Sequence, residues 1–207
     1  MLKRSRFWRV LEWIGVHQPI VLLLLAVVFG GVWGFSELSD DVMEGETQKF
    51  DEAVLQAMRK PVAPGESAPV GPEWLAEAAL DVTALGGMTI VALVTAISAG
   101  YLLLERRYGL TCVVLAASVG GAIIALVLKE IIDRERPSVI EHLAVVHTAS
   151  FPSGHSMLSA VVYLTLGTLL AAAVPRRRVK AYFLGVALLL TLLVGLTRVY
   201  LGVHYPT

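Results

Sequence analysis

Five runs of the chain contain no Asp, Glu, Lys or Arg: between Glu12 and Glu37, Asp81 and Glu105, Arg107 and Lys129, Glu141 and Arg176, and Lys180 and Arg198. Each is as long, or nearly as long, as the roughly 20 residues that cross a bilayer as helix. The pattern predicts an all-α fold, a polytopic transmembrane helix bundle with five spans in one membrane domain over 1–207. In the first run, Trp13 and Trp33 stand about 30 Å apart along a helix, as interface anchors would. Its apolar stretch exceeds the usual 7–15 residues of a signal peptide. No convincing small-x-small cleavage site follows it, so an uncleaved first span is expected.

The connection over 36–81 has a different character. Phe50, Val54, Leu55 and Met58 fall on one helical face in a charged context. That spacing predicts an amphipathic helix, lying on the bilayer surface or solvated within the loop. Pro61, Pro64, Gly65, Pro69, Gly71 and Pro72 then predict an irregular turn. Gly30-x-x-x-Gly34, Gly86-Gly87 and Gly120-Gly121 place small residues inside spans, where helices can pack closely.

Composition agrees with the pattern. The chain is 56% hydrophobic and 16% charged, against about 25% charged in a soluble domain, so it lacks the polar surface to cover itself with water. Cys112, the single cysteine, lies within span three; it has no disulfide partner and is read as a packing residue. Formal net charge is zero, which gives a nucleic-acid partner no support.

The distribution of charge says more. Ten of the 17 Lys and Arg residues lie in three segments: Lys3, Arg4, Arg6 and Arg9; Arg106 and Arg107; Arg176, Arg177, Arg178 and Lys180. These precede span one, link spans two and three, and link spans four and five. The 36–81 connection carries 11 acidic residues against Lys49, Arg59 and Lys60. By the positive-inside rule the basic segments are cytoplasmic. The N-terminus is then inside, and 36–81, 129–154 and 198–207 are extracytoplasmic, in an integral protein of a bacterial inner or plasma membrane.

Three short motifs fall at the ends of spans on that outer side. Lys129 ends span three and Arg136-Pro137 follows; Pro137 disfavours helix at Arg136, so a turn is expected there. Arg134 and the acids Glu130, Asp133 and Glu135 read as solvated neighbours. Pro152-Ser153-Gly154-His155 precedes span four, with Ser153 suited to an N-cap and Gly154 to close backbone approach. The first N–H groups of that helix lack internal partners and favour an anion. Arg198 ends span five, Gly202 and Pro206 stop the helix, and His204 falls just past its end, near the water boundary.

Spans four and five are each close to 30 Å of helix, so they form a hairpin whose open end brings these residues to one face. Three cations can bind a phosphate dianion by charge-assisted hydrogen bonds. One of two histidines can attack phosphorus while the other protonates the leaving oxygen. No carboxylate cluster offers a metal site, and no cofactor is called for. His142 and His147 read as bystanders.

In these motifs the chain resembles the type 2 phosphatidic acid phosphatase family, which shares its core with vanadium-dependent haloperoxidases. The family pattern is Lys-x6-Arg-Pro, Pro-Ser-Gly-His and Ser-Arg-x5-His-x3-Asp. Lys129 to Pro137 and Pro152 to His155 match in full; Thr197 replaces the Ser of the third, and its Asp would follow Thr207. The resemblance implies that Lys129, Arg136 and Arg198 hold the phosphate, with donors from Ser153 and Gly154. It makes His204 the nucleophile that forms a phosphohistidine and His155 the acid for the leaving group. It also implies a sixth span beyond the C-terminal end, leaving these residues C-terminally incomplete. The expected substrates are lipid phosphates or pyrophosphates drawn from the surrounding membrane lipids, hydrolysed without metal. Transfer to a second lipid and non-catalytic lipid-phosphate binding or transport are the alternatives; the sequence leaves oligomeric state open.

Overall fold

The computed structural model describes residues 18–63, 66–140, 142–144 and 149–207. Lys3, Arg4, Arg6, Arg9, Trp13, Pro64, Gly65, Glu141 and His147 lie outside the described residues. The chain divides into two compact units, 1–46 and 47–207. The first contains helix α1 (Gln18–Glu44), whose large apolar side chains, Phe29 and Trp33 among them, are exposed. Within its last turns Ser39 Oγ donates to the Phe35 carbonyl at 2.7 Å.

The second unit contains α2 (Gln48–Ala57), a hairpin of β1 (Arg59–Ala63) and β2 (Glu66–Pro69), then α3 (Glu73–Ala84), α4 (Met88–Leu104), α5 (Tyr108–Ile132), α6 (Gly154–Ala173) and α7 (Arg177–Tyr200). Helices α5, α6 and α7 are each long and apolar enough to cross a membrane. Helices α3 and α4 pass the same test only as a pair, bent by 45°. The described residues therefore hold three such helices, or four with the bent pair counted as one span. The expected count of five, with a sixth beyond, is not reached by this test.

Outward faces of α4, α5 and α7 carry exposed Leu93, Ile97, Ile123, Leu126, Leu189 and Leu192. A soluble protein would bury such faces, so they mark a lipid-facing surface. Cys112 is also exposed, so it does not pack in the interior as its sequence context suggested.

Inside the bundle, small residues set the helix spacing. A Cβ at Gly121 would lie 3.0 Å from Val161 Cγ2, and one at Gly167 would lie 2.7 Å from Ala187 Cβ, so α5–α6 and α6–α7 approach almost to backbone contact. Thr95 Oγ1 donates to Ser118 Oγ at 3.1 Å and ties α4 to α5. Such small-residue contacts are expected where lipid surrounds the helices, and here they accompany a buried cluster of Val91, Leu158 and Val162.

The 47–72 region departs from its sequence reading. Strands β1 and β2 pair antiparallel, Arg59 opposite Pro69 and Lys60 opposite Ala68, where an irregular turn was expected. The proline at position 61 is tolerated because a two-stranded ribbon has only edge strands. The hairpin caps α7: Arg59 Nη1 donates to the Tyr200 carbonyl at 3.0 Å, and Tyr200 Oη donates to the Val70 carbonyl at 2.9 Å.

Helix α2 turns Leu55 and Asp51 inward rather than presenting an apolar face to a bilayer. Leu55 is fully buried against Ile140 and Tyr205, while Phe50 is exposed. Asp51, also fully buried, pairs with Arg134 Nη2 at 2.7 Å. The same carboxylate accepts from Thr207 N at 3.2 Å and Thr207 Oγ1 at 2.6 Å. Arg134 in turn lies 4.1 Å above the Tyr205 ring, a cation–π contact. Arg134 is thus a buried structural cation and not the solvated neighbour its charged surroundings suggested. Removing one member of such a pair strands the other charge. Asp51→Ala is expected to cost about 3–5 kcal/mol, seen as a marked fall in unfolding temperature in detergent; an unchanged temperature would rule the pair out.

Candidate active site

Three helix ends meet at one end of the second unit. Lys129 comes from the last turn of α5, Gly154 and His155 from the first turn of α6, and Arg198 from the last turn of α7. Arg136 and His204 reach the same place from the chain beyond α5 and α7.

Helix α5 ends where Asp133 adopts the left-handed backbone conformation, φ 40° and ψ 40°. The chain therefore turns before Arg136-Pro137, earlier than the proline alone predicts. Arg136 then shares no helix face with Lys129; the two converge because the loop folds back. Lys129 Nζ donates to the Ala149 carbonyl at 2.6 Å, and Arg136 Nη2 reaches the same oxygen at 3.4 Å. Arg136 Nη1 also donates to the Val203 carbonyl and lies 3.5 Å from His204 Nε2.

His204 is buried, 3% exposed. The turn that carries it begins as expected, with Gly202 at φ 76° immediately after α7. Its Nδ1 donates to the Ser150 carbonyl. A carbonyl can only accept, so the proton sits on Nδ1 and the Nε2 lone pair faces Arg136. Ser150 is held in turn by its own Oγ, which donates to the carbonyls of Arg134 at 3.1 Å and Glu135 at 2.6 Å.

Ser153 caps α6 as its position suggested, accepting from Ser156 N at 3.3 Å and from Ser156 Oγ at 3.0 Å. Gly154 sits beside Lys129, since a Cβ there would lie 3.4 Å from Lys129 Cε. Arg198 is 4% exposed. Its Nη1 reaches Thr83 Oγ1 at 3.5 Å, and its Nε is buried with no partner among the described residues. A buried donor of a charged group left unmet is costly, and here it lies among further cations. The arrangement is suited to an anion.

Residues 108–207 match the family model of the PAP2 superfamily. Over those residues the chain is similar to the PAP2 superfamily. Phosphatidylglycerophosphatase B of Bacillus subtilis (strain 168) is 29% identical over 201 residues, covering 93% of this chain and 86% of the relative. The crystal structure of a transmembrane PAP2-type phosphatidylglycerolphosphate phosphatase from Bacillus subtilis has a TM-score of 0.73 at 28% identity, over 92% of this chain and 86% of that one. Aquifex aeolicus LpxE, at 21% identity and TM-score 0.51 over 66% of this chain and 77% of its own, shares the fold.

The PAP2 motif residues named from sequence, Lys129, Arg136, Ser153, Gly154, His155, Arg198 and His204, all fall in this one cluster. His142 does not; its Nε2 lies 2.6 Å from the Pro137 carbonyl, a loop contact. Sequence reasoning missed the supports: Thr83, Ser150, Asp51 and Arg134. Ser150 acts through a backbone carbonyl, which leaves no trace in residue type. Asp51 had a faint signal, four residues before Leu55 on the same helix face.

Burial, then the charges of Arg198 and Arg136, hold His204 well below the usual 6.5; the Ser150 hydrogen bond opposes them. Burial also lowers the Arg136 pKa, although a guanidinium stays charged at any workable pH. His204 is therefore neutral in the folded protein and takes a proton on unfolding below about pH 6.5. Its contribution to stability is complete above that pH and is lost as pH falls through the folded value. The unfolding temperature should decline between pH 7.5 and 5, and less steeply in His204→Gln; parallel slopes would assign the decline to other groups.

Proposed function

We propose that the chain is a metal-independent lipid phosphatase that works through a phosphohistidine on the extracytoplasmic face of the membrane. The observation that carries this reading is the buried Arg198 Nε, unmet among the described residues, in a cluster where the His204 lone pair is also held ready. Phosphate oxygens would meet Arg198, Arg136 and Lys129 and the first N–H groups of α6. The His204 Nε2–P bond forms as the P–O bond to the lipid breaks, and the departing oxygen takes the proton of His155. Water then attacks the phosphohistidine, giving its proton back to His155 and releasing phosphate. Among the described residues no three His, Cys, Asp or Glu side chains group as metal ligands.

Phosphatidylglycerophosphate is the first substrate to try, because the 29% identical relative is named for it. One membrane domain over 1–207 is proposed, with α1 counted as a further span in addition to the bent α3–α4 pair, α5, α6 and α7. The basic turns at Arg106–Arg107 and Arg176–Lys180 lie at the opposite end of their helices from Lys129, His155 and Arg198. The positive-inside rule then puts the site outside.

Purified protein should release inorganic phosphate from phosphatidylglycerophosphate in EDTA, and His204→Ala should reduce release by at least about 10³-fold, the order seen when a nucleophile is removed. Loss of activity on chelation, restored by Mg²⁺, would overturn the metal-free scheme. Binding without release would favour a carrier instead. Topology has its own check, in a Cys112→Ala background with single cysteines at 138 and 178. An impermeant thiol reagent applied to intact cells should label 138 and spare 178; the reverse pattern would move the site to the cytoplasm.

A further inference from the structure

The break between α3 and α4 is not absorbed by the chemistry above, yet residues 83–87 touch two members of the site, His155 and Arg198. Leu85, Gly86 and Gly87 separate the two helices, and the second begins with Gly87 as its N-cap. A continuous helix would pair the Leu85 carbonyl internally. Here Tyr163 Oη, from the middle of α6, donates to it at 2.6 Å.

Gly86 packs more tightly than any ordinary side chain permits. A Cβ there would lie 2.5 Å from Val194 Cγ1 on α7, 2.9 Å from the His155 carbonyl and 3.2 Å from His155 Cβ. The position after it faces the ring itself: a Cβ on Gly87 would lie 3.8 Å from His155 Nε2. Two residues before the break, Thr83 is buried and accepts from Arg198. One short segment therefore meets α6 at His155 and Tyr163, and α7 at Val194 and Arg198.

We infer that the Leu85–Gly87 break, locked by Tyr163 and by the absence of a Cβ at Gly86, is the positioning element that fixes the His155 ring for proton transfer to the leaving group. Gly86 and Tyr163 are positioning residues and touch no reacting atom. The inference rests on the acid role proposed for His155. A general acid contributes most when the departing oxygen is a strong base. Disturbing its position should therefore slow poor leaving groups selectively, whereas a loosened fold would slow all substrates alike.

The experiment compares turnover of phenyl phosphate and p-nitrophenyl phosphate, two esters of similar shape whose leaving groups differ in basicity, by full-length protein in detergent. Gly86→Ala is expected to lower turnover of phenyl phosphate by about 10-fold or more, and of p-nitrophenyl phosphate by less than about 3-fold. Tyr163→Phe, which removes one hydroxyl and adds no bulk, should show the same selectivity at about 5-fold, the scale of one hydrogen bond. It keeps the test decisive if Gly86→Ala does not fold. His155→Ala is the reference. If His155→Ala is selective but Tyr163→Phe slows both esters equally or neither, the positioning role is overturned and the acid role stands. If His155→Ala itself slows both alike, the acid role fails and the positioning claim fails with it.

Discussion

The structure is organised around the burial of Arg198. A guanidinium sealed from water at the end of a membrane helix costs several kcal/mol, and Lys129 and Arg136 add like charges to the same place. Polar partners around the cations offset part of that cost. The chain supplies them mainly as backbone carbonyls, Ala149 for Lys129 and Arg136 and Val203 for Arg136, with the Thr83 hydroxyl for Arg198. Carbonyls stabilise cations without neutralising them. The cluster keeps its net positive field, and that field lets an anion displace water profitably from a deep site.

The same field governs His204. An imidazole among cations and out of water stays neutral, and the Ser150 carbonyl decides which nitrogen bears the proton. Here a backbone oxygen meets Nδ1, and Asp51 holds the segment that carries the ring by gripping Thr207 and, through Arg134, Tyr205. Orientation is thereby shared between a direct contact and a clamp one step removed.

Much of the site was legible in the sequence because its residues are few, charged and placed at span ends. Lys129, Ser153, His155 and Arg198 could be read from motif and hydropathy alone, and the helix hairpin followed from the length of the runs. The supports were not legible for a physical reason. Ala149, Ser150, Leu85 and Val203 act through carbonyls that every residue has. Gly86-Gly87 showed as a close-packing pair, but whether a small residue packs, breaks the helix or does both depends on the neighbours it meets. Arg134 sat among acids and read as solvated; its burial comes from Asp51 and Tyr205, which stand 83 and 71 residues away along the chain. Helix α2 was legible as amphipathic, but amphipathicity does not say whether lipid or protein covers the apolar face.

The Asp51–Thr207 contact joins residues 156 apart, and this has a consequence for how the protein comes into being. During synthesis α2 emerges long before the chain that carries His204. Its Asp51 and Leu55 must wait for partners until α7 has been laid down and the chain has returned to the same side. Contacts so distant in sequence form late, because closing the long loop between them is entropically unfavourable until the intervening helices are packed. The spans can therefore assemble as a bundle before any competent centre exists. A late closure, the short helix α2 meeting Thr207, brings the ring of His204 under control.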